Sequence, residues 1–215
     1  MAVTYQDVID ILRNAVSEIV SMPCGLHFNE RYLHHYFSRE IQKKIPIHFS
    51  EDNYFHPEWS TTKNNPDNPA KYKRDGVTWD YHIDENGSSG FIDFAIGPLS
   101  NPTIAIEFKM SNSFDTKGVA YDYLKLLDSR NPFEIAVSLV IVYGLSPKST
   151  ITPEKKLDKA YEKAKTELSK HPNRFASDRR FHFIVVAIDT NGHFNGFERR
   201  CSDGCVCDSE FYLDF

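Results

Sequence analysis

The chain has 215 residues, 40% of them hydrophobic and 26% charged, with a formal net charge of −5 at pH 7. This suits one globular domain spanning 1–215 with a sizeable core, and no apolar run of about 18 residues exists that could cross a membrane as a helix. The acidic balance argues against gross attraction to nucleic acid but not against a local basic groove, and the opening MAVTYQDVIDILRN lacks a secretory layout, so a cytoplasmic location is expected.

Residues 5–20 place Val8, Ile11, Leu12, Ala15, Val16 and Ile19 at helical spacing, and Met22-Pro23-Cys24-Gly25 ends the pattern. This helix is expected to pack outside the central fold. Asn29 caps a second predicted helix over 30–44, with Leu33, Phe37 and Ile41 as its stripe. At ~100° per residue Glu30 and His34 fall within that stripe, and Glu40 near its edge. An inward carboxylate needs a reason, unless Glu30 only serves the positive helix start.

Residues 50–77 are rich in Asn, Asp, Pro and Lys and read as a long loop or insertion. Lys63, Lys71, Lys73 and Arg74 are interleaved there with Tyr54, Phe55, Trp59 and Tyr72. Such a loop could grip phosphates and stack on bases, or be a solvated loop with an aromatic mini-core. Residues 78–83 alternate Trp79, Tyr81 and Ile83 with Asp80 and His82, the expected first strand of the sheet.

The stretch 90–111, GFIDFAIGPLSNPTIAIEFKMS, predicts two strands, 90–96 and 103–110, joined by a Gly-, Pro-, Ser- and Asn-rich loop. Alternation puts Ile104, Ile106, Phe108 and Met110 on one face of the second strand and Ala105, Glu107 and Lys109 on the other. In the first, Ile92, Phe94 and Ile96 are expected together, with Asp93 opposite them. A hairpin folded about residues 99–100 sets Asp93 close to opposite Glu107; directly opposed Cβ atoms lie ~4.5–5.5 Å apart and like charges there repel. Such a pair needs a cation, raised pKa values or good solvation; a hard divalent metal would serve. Without metal, Asp93→Asn is expected to relieve the repulsion. An amphipathic edge strand would show the same Glu107-x-Lys109 alternation with no chemistry attached.

Ser113 or Asp115 can cap a helix running to about Ser129, with Ala120, Tyr123, Leu124 and Leu127 apolar and Asp122, Lys125 and Ser129 polar. Asp122 and Lys125 could be no more than a surface i,i+3 pair. Residues 134–144 form a continuous apolar run, expected as a central strand buried on both faces. A helix starts at Thr152-Pro153-Glu154, residues 181–189 make another buried strand, and a short last strand follows with Phe194, Phe197 and the tail. That tail, CSDGCVC, holds Cys201, Cys205 and Cys207, expected as reduced thiols in a loop, since a second zinc-binding pair is missing.

Asp93 followed by Glu107-Phe108-Lys109, with Asp122-x-x-Lys125-Leu126 in the next helix, resembles the PD-(D/E)XK, or restriction-endonuclease-like, nuclease superfamily. The resemblance covers about 29–144, with 145–215 as a C-terminal extension; the usual Pro-Asp reads Ile92-Asp93 here. It implies an α/β fold with a mixed sheet flanked by helices in α-β-β-β-α-β order. It further implies a metal-dependent endonuclease acting on phosphodiester bonds, most simply in DNA. Asp93, Glu107 and the Phe108 carbonyl would hold Mg²⁺ or Mn²⁺, with Glu30 nearby; Lys109 would be catalytic and Lys125 would contact phosphate. The alternative is a catalytically silent domain on the same scaffold that binds nucleic acid or a protein partner, as in a toxin or defence system. A homodimer is left open, and no membrane partner is expected.

Overall fold

The structure is a computed structural model that describes residues 3–22, 29–45, 55–63, 67–78, 80–98, 100–202 and 205–213. The readings placed on Cys24, Tyr54 and Trp79 lie outside the described residues. In chain order come α1 (Tyr5–Ser21), α2 (Glu30–Gln42), β1 (Phe55–Ser60), β2 (Lys71–Arg74), β3 (Tyr81–Ile83) and β4 (Ser88–Ser89). There follow β5 (Phe91–Ile96), β6 (Ile104–Ser111), α3 (Thr116–Leu127), β7 (Ile135–Leu145), α4 (Pro153–Ser169), β8 (Arg180–Asp189), β9 (Phe194–Ser202) and β10 (Cys205–Glu210).

The fold is mixed α/β. One seven-stranded sheet runs β1-β5-β6-β7-β8-β9-β10, and β3-β2-β4 form a separate small sheet. The central pairs β6–β7 and β7–β8 are parallel, and the flanking pairs are antiparallel. The parallel strands are buried on both faces, which accounts for the unbroken apolar sequence of β7.

Apolar residues of α1 and α2, such as Leu12, Val16, Leu33 and Phe37, pack on one face against Ile106, Phe108, Leu139 and Ile184. Tyr123 and Leu124 of α3 and Leu157 and Ala164 of α4 pack on the other, against Ala105, Ala136 and Phe183. Removing a side chain such as Phe37 from water contributes ~1.5–3 kcal/mol, and this burial, more than helix propensity, holds the layers together. The helix starts follow their sequence signals: Thr4 and Asp7 close a capping box, Asn29 accepts from Tyr32 N–H, and Asp115 accepts from Lys117 N–H.

Several expectations need correction. Helix α1 does not sit outside the core; seven of its residues are buried. The span 50–77 is not one loop, since it contains β1 and β2. The strand beside β5 is β1, not residues 78–83, whose described part pairs with β2 in the small sheet. Pro57 and Glu58 hide β1 in the sequence, yet an edge strand tolerates Pro because its missing N–H costs no ladder bond there. The tail is a hairpin rather than a loop: Cys201 is buried on β9, and Cys205 and Cys207 are exposed free thiols on β10.

Candidate functional site

The β5–β6 ladder pairs Ile96 with Ile104, Ala95 with Ala105 and Phe94 with Ile106. Asp93 and Glu107 are therefore next in register, as the turn loop predicted. The ladder stops short of them, and Asp93 Oδ2 instead accepts the Phe108 N–H at 2.7 Å. Alternation also breaks here: Ile92 packs in the α3–α4 layer with Ala95, while Phe94 and Ile96 stay in the other. The register with β1 sets Asp93 opposite Glu58, whose φ of 51° is uncommon for a residue with a Cβ. The expected grouping of Ile92 with Phe94 and Ile96 fails at this irregularity.

Around the two carboxylates the flanking helices add four more ionisable groups. Glu30 begins α2, and its Oε2 lies 3.2 Å from Lys109 Nζ. Glu40 instead pairs with Arg39 at 2.8 Å and Lys43 at 2.7 Å. Of the two acids of this helix, Glu30 is the one at the cluster. One turn on, His34 Nε2 stands 3.5 Å from Asp93 Oδ2, and its ring packs on Phe94 and Phe108. From α3, Lys125 Nζ lies against Glu107 Oε1, 3.1 Å from Asp122 Oδ1, and donates to the Phe91 carbonyl at 2.6 Å. Gly90 makes room for this lysine, since a Cβ there would stand 2.8 Å from Lys125 Cδ and from the Tyr121 hydroxyl.

Among the described residues, Asp93, Glu107, Asp122 and Glu30 thus face the ammonium groups of only Lys109 and Lys125. Burial pushes the Glu107 carboxyl well above its ordinary range and raises Asp122 too. The single buried ammonium of Lys125 is shared between them; burial acts against its charge, but Glu107 and Asp122 hold it protonated. Asp93 behaves differently. Burial acts upward on it, but His34, the Phe108 N–H and Lys125 outweigh this and hold it below its usual value. His34 in turn is raised, first by its contact with Asp93. The repulsion between the opposed carboxylates therefore falls on Glu107, while Asp93, where relief from Asp93→Asn was expected, is held ionised by its own contacts. Burial acts downward on Lys109, yet Asp122, Glu30 and Asp93 together keep its ammonium above the ordinary value.

The structure brings together Asp93, Glu107, Lys109, Lys125 and Glu30. Lys125, for which the resemblance implies a phosphate contact, sits at 4% exposure against Glu107 and Asp122. The basic residues of 63–74 are elsewhere engaged. Lys63 lies 4.7 Å over Trp59, Lys71 donates to the Glu85 carbonyl at 3.3 Å, Lys73 is 3.9 Å from Asp84, and Arg74 lies over Tyr81. None of these contacts reaches the carboxylates. Sequence reasoning passed over His34 and Asp122 as site residues. His34 shares the inward stripe with Glu30, and Asp122 precedes Lys125 by three positions, so both signals were present.

Among the described residues no three His, Cys, Asp or Glu side chains are grouped to hold a metal ion. The donors on offer are two carboxylates and the Phe108 carbonyl, an all-oxygen set of the kind hard cations take. Glu107 Oε1 receives no well-directed hydrogen bond despite the ammonium beside it. Uncompensated negative charge and an under-used carboxylate oxygen fit Mg²⁺ or Mn²⁺. No family model, curated protein or solved structure matches the chain.

Proposed function

We propose that the chain is a divalent-metal-dependent endonuclease with a restriction-endonuclease-like core, hydrolysing phosphodiester bonds in DNA. The observation that carries this reading is the convergence of Asp93, Glu107 and Lys109 on two neighbouring antiparallel strands, with Glu30 reaching them from α2. Asp93, Glu107 and the Phe108 carbonyl would hold Mg²⁺ or Mn²⁺, which supplies charge neutralisation at the scissile phosphate and lowers the pKa of a water.

The chain's own residues do the rest. Lys109, one-third exposed, remains an ammonium at neutral pH, so it acts as a donor rather than a base. It orients the attacking water and stabilises charge developing on the phosphoryl oxygens. Glu30 fixes where that ammonium points. His34 and the Phe108 N–H hold Asp93 ionised and oriented, and Lys125 with Asp122 sets the charge on Glu107.

The buried ammonium against Glu107 favours a second reading, a silent scaffold in which Lys125 permanently fills the cation's part. One assay separates the two. Linear, circular and single-stranded DNA is incubated with Mg²⁺, Mn²⁺ or EDTA, using the parent and Glu107→Gln. Metal-dependent cleavage lost in Glu107→Gln supports the nuclease; binding of DNA without cleavage in any metal supports the silent scaffold.

A further inference from the structure

A second set of charged groups lies apart from the carboxylates, at the start of β8 and on the β9–β10 hairpin. Tyr5, Arg180, Arg200, Ser202, Cys205 and Cys207 line a cleft of about 580 Å³, within the range of small-molecule sites. The register explains its composition. His182 is paired with Arg200 on β9, and Arg200 with Cys207 on β10, so the three share one sheet face, the face that α1 covers with Tyr5.

Behind the cleft runs a buried relay. Tyr5 OH lies 2.9 Å from His182 Nδ1, and His182 Nε2 lies 2.7 Å from Glu198 Oε2. His182 and Glu198 are 1% and 3% exposed. Burial keeps the imidazole neutral, and His182 with Arg200 keeps Glu198 ionised. The single imidazole proton must then sit on Nε2 facing the carboxylate, so Nδ1 accepts the Tyr5 hydroxyl proton. The Tyr5 oxygen is left as an acceptor.

Among the described residues, the charged groups that act on Tyr5 are Arg200, Glu198, Arg180 and Arg13. Of these guanidiniums, Arg180 and Arg200 line the cleft, in a chain whose net charge is −5. Arg200 is tied to Glu198 at 2.9 Å, whereas Arg180 has no carboxylate partner among the described residues and only stacks over Tyr5. Guanidinium forks suit phosphate oxygens geometrically as well as by charge. Two guanidiniums at one cleft suit a phosphate monoester, and the acceptor oxygen of Tyr5 suits a hydroxyl on the same ligand.

We propose that this cleft is a second ligand site, separate from the carboxylate cluster, that takes a hydroxyl-bearing phosphate monoester of sugar-phosphate size. Arg180 and Arg200 hold the phosphate, and Tyr5, fixed by His182 and Glu198, accepts from the ligand's hydroxyl.

Calorimetric titration with ribose 5-phosphate in EDTA at pH 8 tests this, with methyl phosphate as the hydroxyl-free control. The expected result is one site per chain, weakened about tenfold or more by Arg180→Ala. Tyr5→Phe should weaken ribose 5-phosphate several-fold and leave methyl phosphate unchanged. Glu107→Gln should bind like the parent, so failure of the nuclease reading leaves this site untouched. Because Cys205 and Cys207 edge the cleft, bound ribose 5-phosphate should also slow their alkylation by iodoacetamide in the unmodified chain. The proposal is overturned by absence of ribose 5-phosphate binding at millimolar concentration, by binding indifferent to Arg180→Ala, by its loss in Glu107→Gln, or by alkylation rates the ligand does not change.

Discussion

Two buried acids of this molecule, Asp128 and Glu107, have opposite surroundings. Asp128 is wholly buried after α3 and fully satisfied: Arg174 donates to both its oxygens at 2.9 and 2.5 Å, Tyr72 OH at 3.1 Å and Arg130 N–H at 3.0 Å. Glu107 is as deeply buried but has a share in one ammonium and a neighbouring carboxylate on either side. Both carboxylate oxygens of Asp128 are bonded by cationic or neutral donors. Glu107 shares its one ammonium with Asp122, and its Oε1 lacks a directed donor. Burial of charge alone does not separate scaffold from site; whether the charge is compensated does.

The largest expected effect sharpens the functional side of this contrast. Lys109→Ala should keep the fold, since the side chain is partly exposed, while metal-dependent cleavage falls ~10²–10³-fold, the scale for losing one donor to a developing charge. Near-normal turnover by the folded variant would remove this lysine from the chemistry.

The structural side breaks differently. Asp128→Asn should cost ~3 kcal/mol in a urea melt, because it leaves the buried Arg174 with only the exposed Glu85, 3.6 Å away, as counter-charge. Glu107→Gln, melted in EDTA at pH 7, should be no less stable than the parent. The sign follows from linkage: a carboxyl raised in the fold binds its proton more tightly there than in the unfolded chain. Stability is therefore lost as pH rises from about 4.3 toward the folded value, and Gln removes that loss. Asp93→Asn should go the other way and cost ~1 kcal/mol in the absence of metal. Its folded value is depressed, so its contribution is present above about 3.9 and vanishes as pH falls through that lower value. If Glu107→Gln and Asp128→Asn destabilise alike, the distinction between the two clusters fails.

Mn²⁺ should raise the melting temperature of the parent by mass action, and increasingly so with pH, because the Glu107 and Asp122 carboxyls, both raised by burial, must be ionised to take a cation. A metal effect independent of pH, or equal in Asp93→Asn, would put the cation elsewhere. The smallest effect concerns the two acids of α2. Glu30→Gln should lower cleavage several-fold by releasing Lys109, and Glu40→Gln, whose partners are surface basic residues, should do nothing measurable.

Much of the site could be read from residue order. The position of the polar loop between β5 and β6 put Asp93 close to opposite Glu107, although the alternation assumed with it fails at Ile92. The inward placing of Glu30 followed from helical spacing. What could not be read depended on contacts distant in sequence. Strand β1 is interrupted by Pro57 and by Glu58 in a left-handed conformation, so its alternation is weaker than that around Tyr81, and only pairing with β5 makes it a strand. Spacing likewise put Lys125 on a polar stripe but could not say that this stripe turns toward Glu107, with Gly90 yielding the room.

The strand order also bears on how the chain reaches this state. The β5–β6 hairpin is local, so Asp93 and Glu107 can meet early and cheaply. The centre of the sheet is not local: Ile104 is joined to Ile135, and Ile135 in turn to Arg180. Each parallel pairing must close a long stretch of chain before its hydrogen bonds form, which makes such pairings slow. During refolding the hairpin's two carboxylates confront each other before α3, packed over those later strands, delivers Lys125. Topology therefore predicts that pairing at β7 and β8 limits the rate of refolding, far from the residues whose charges most oppose assembly.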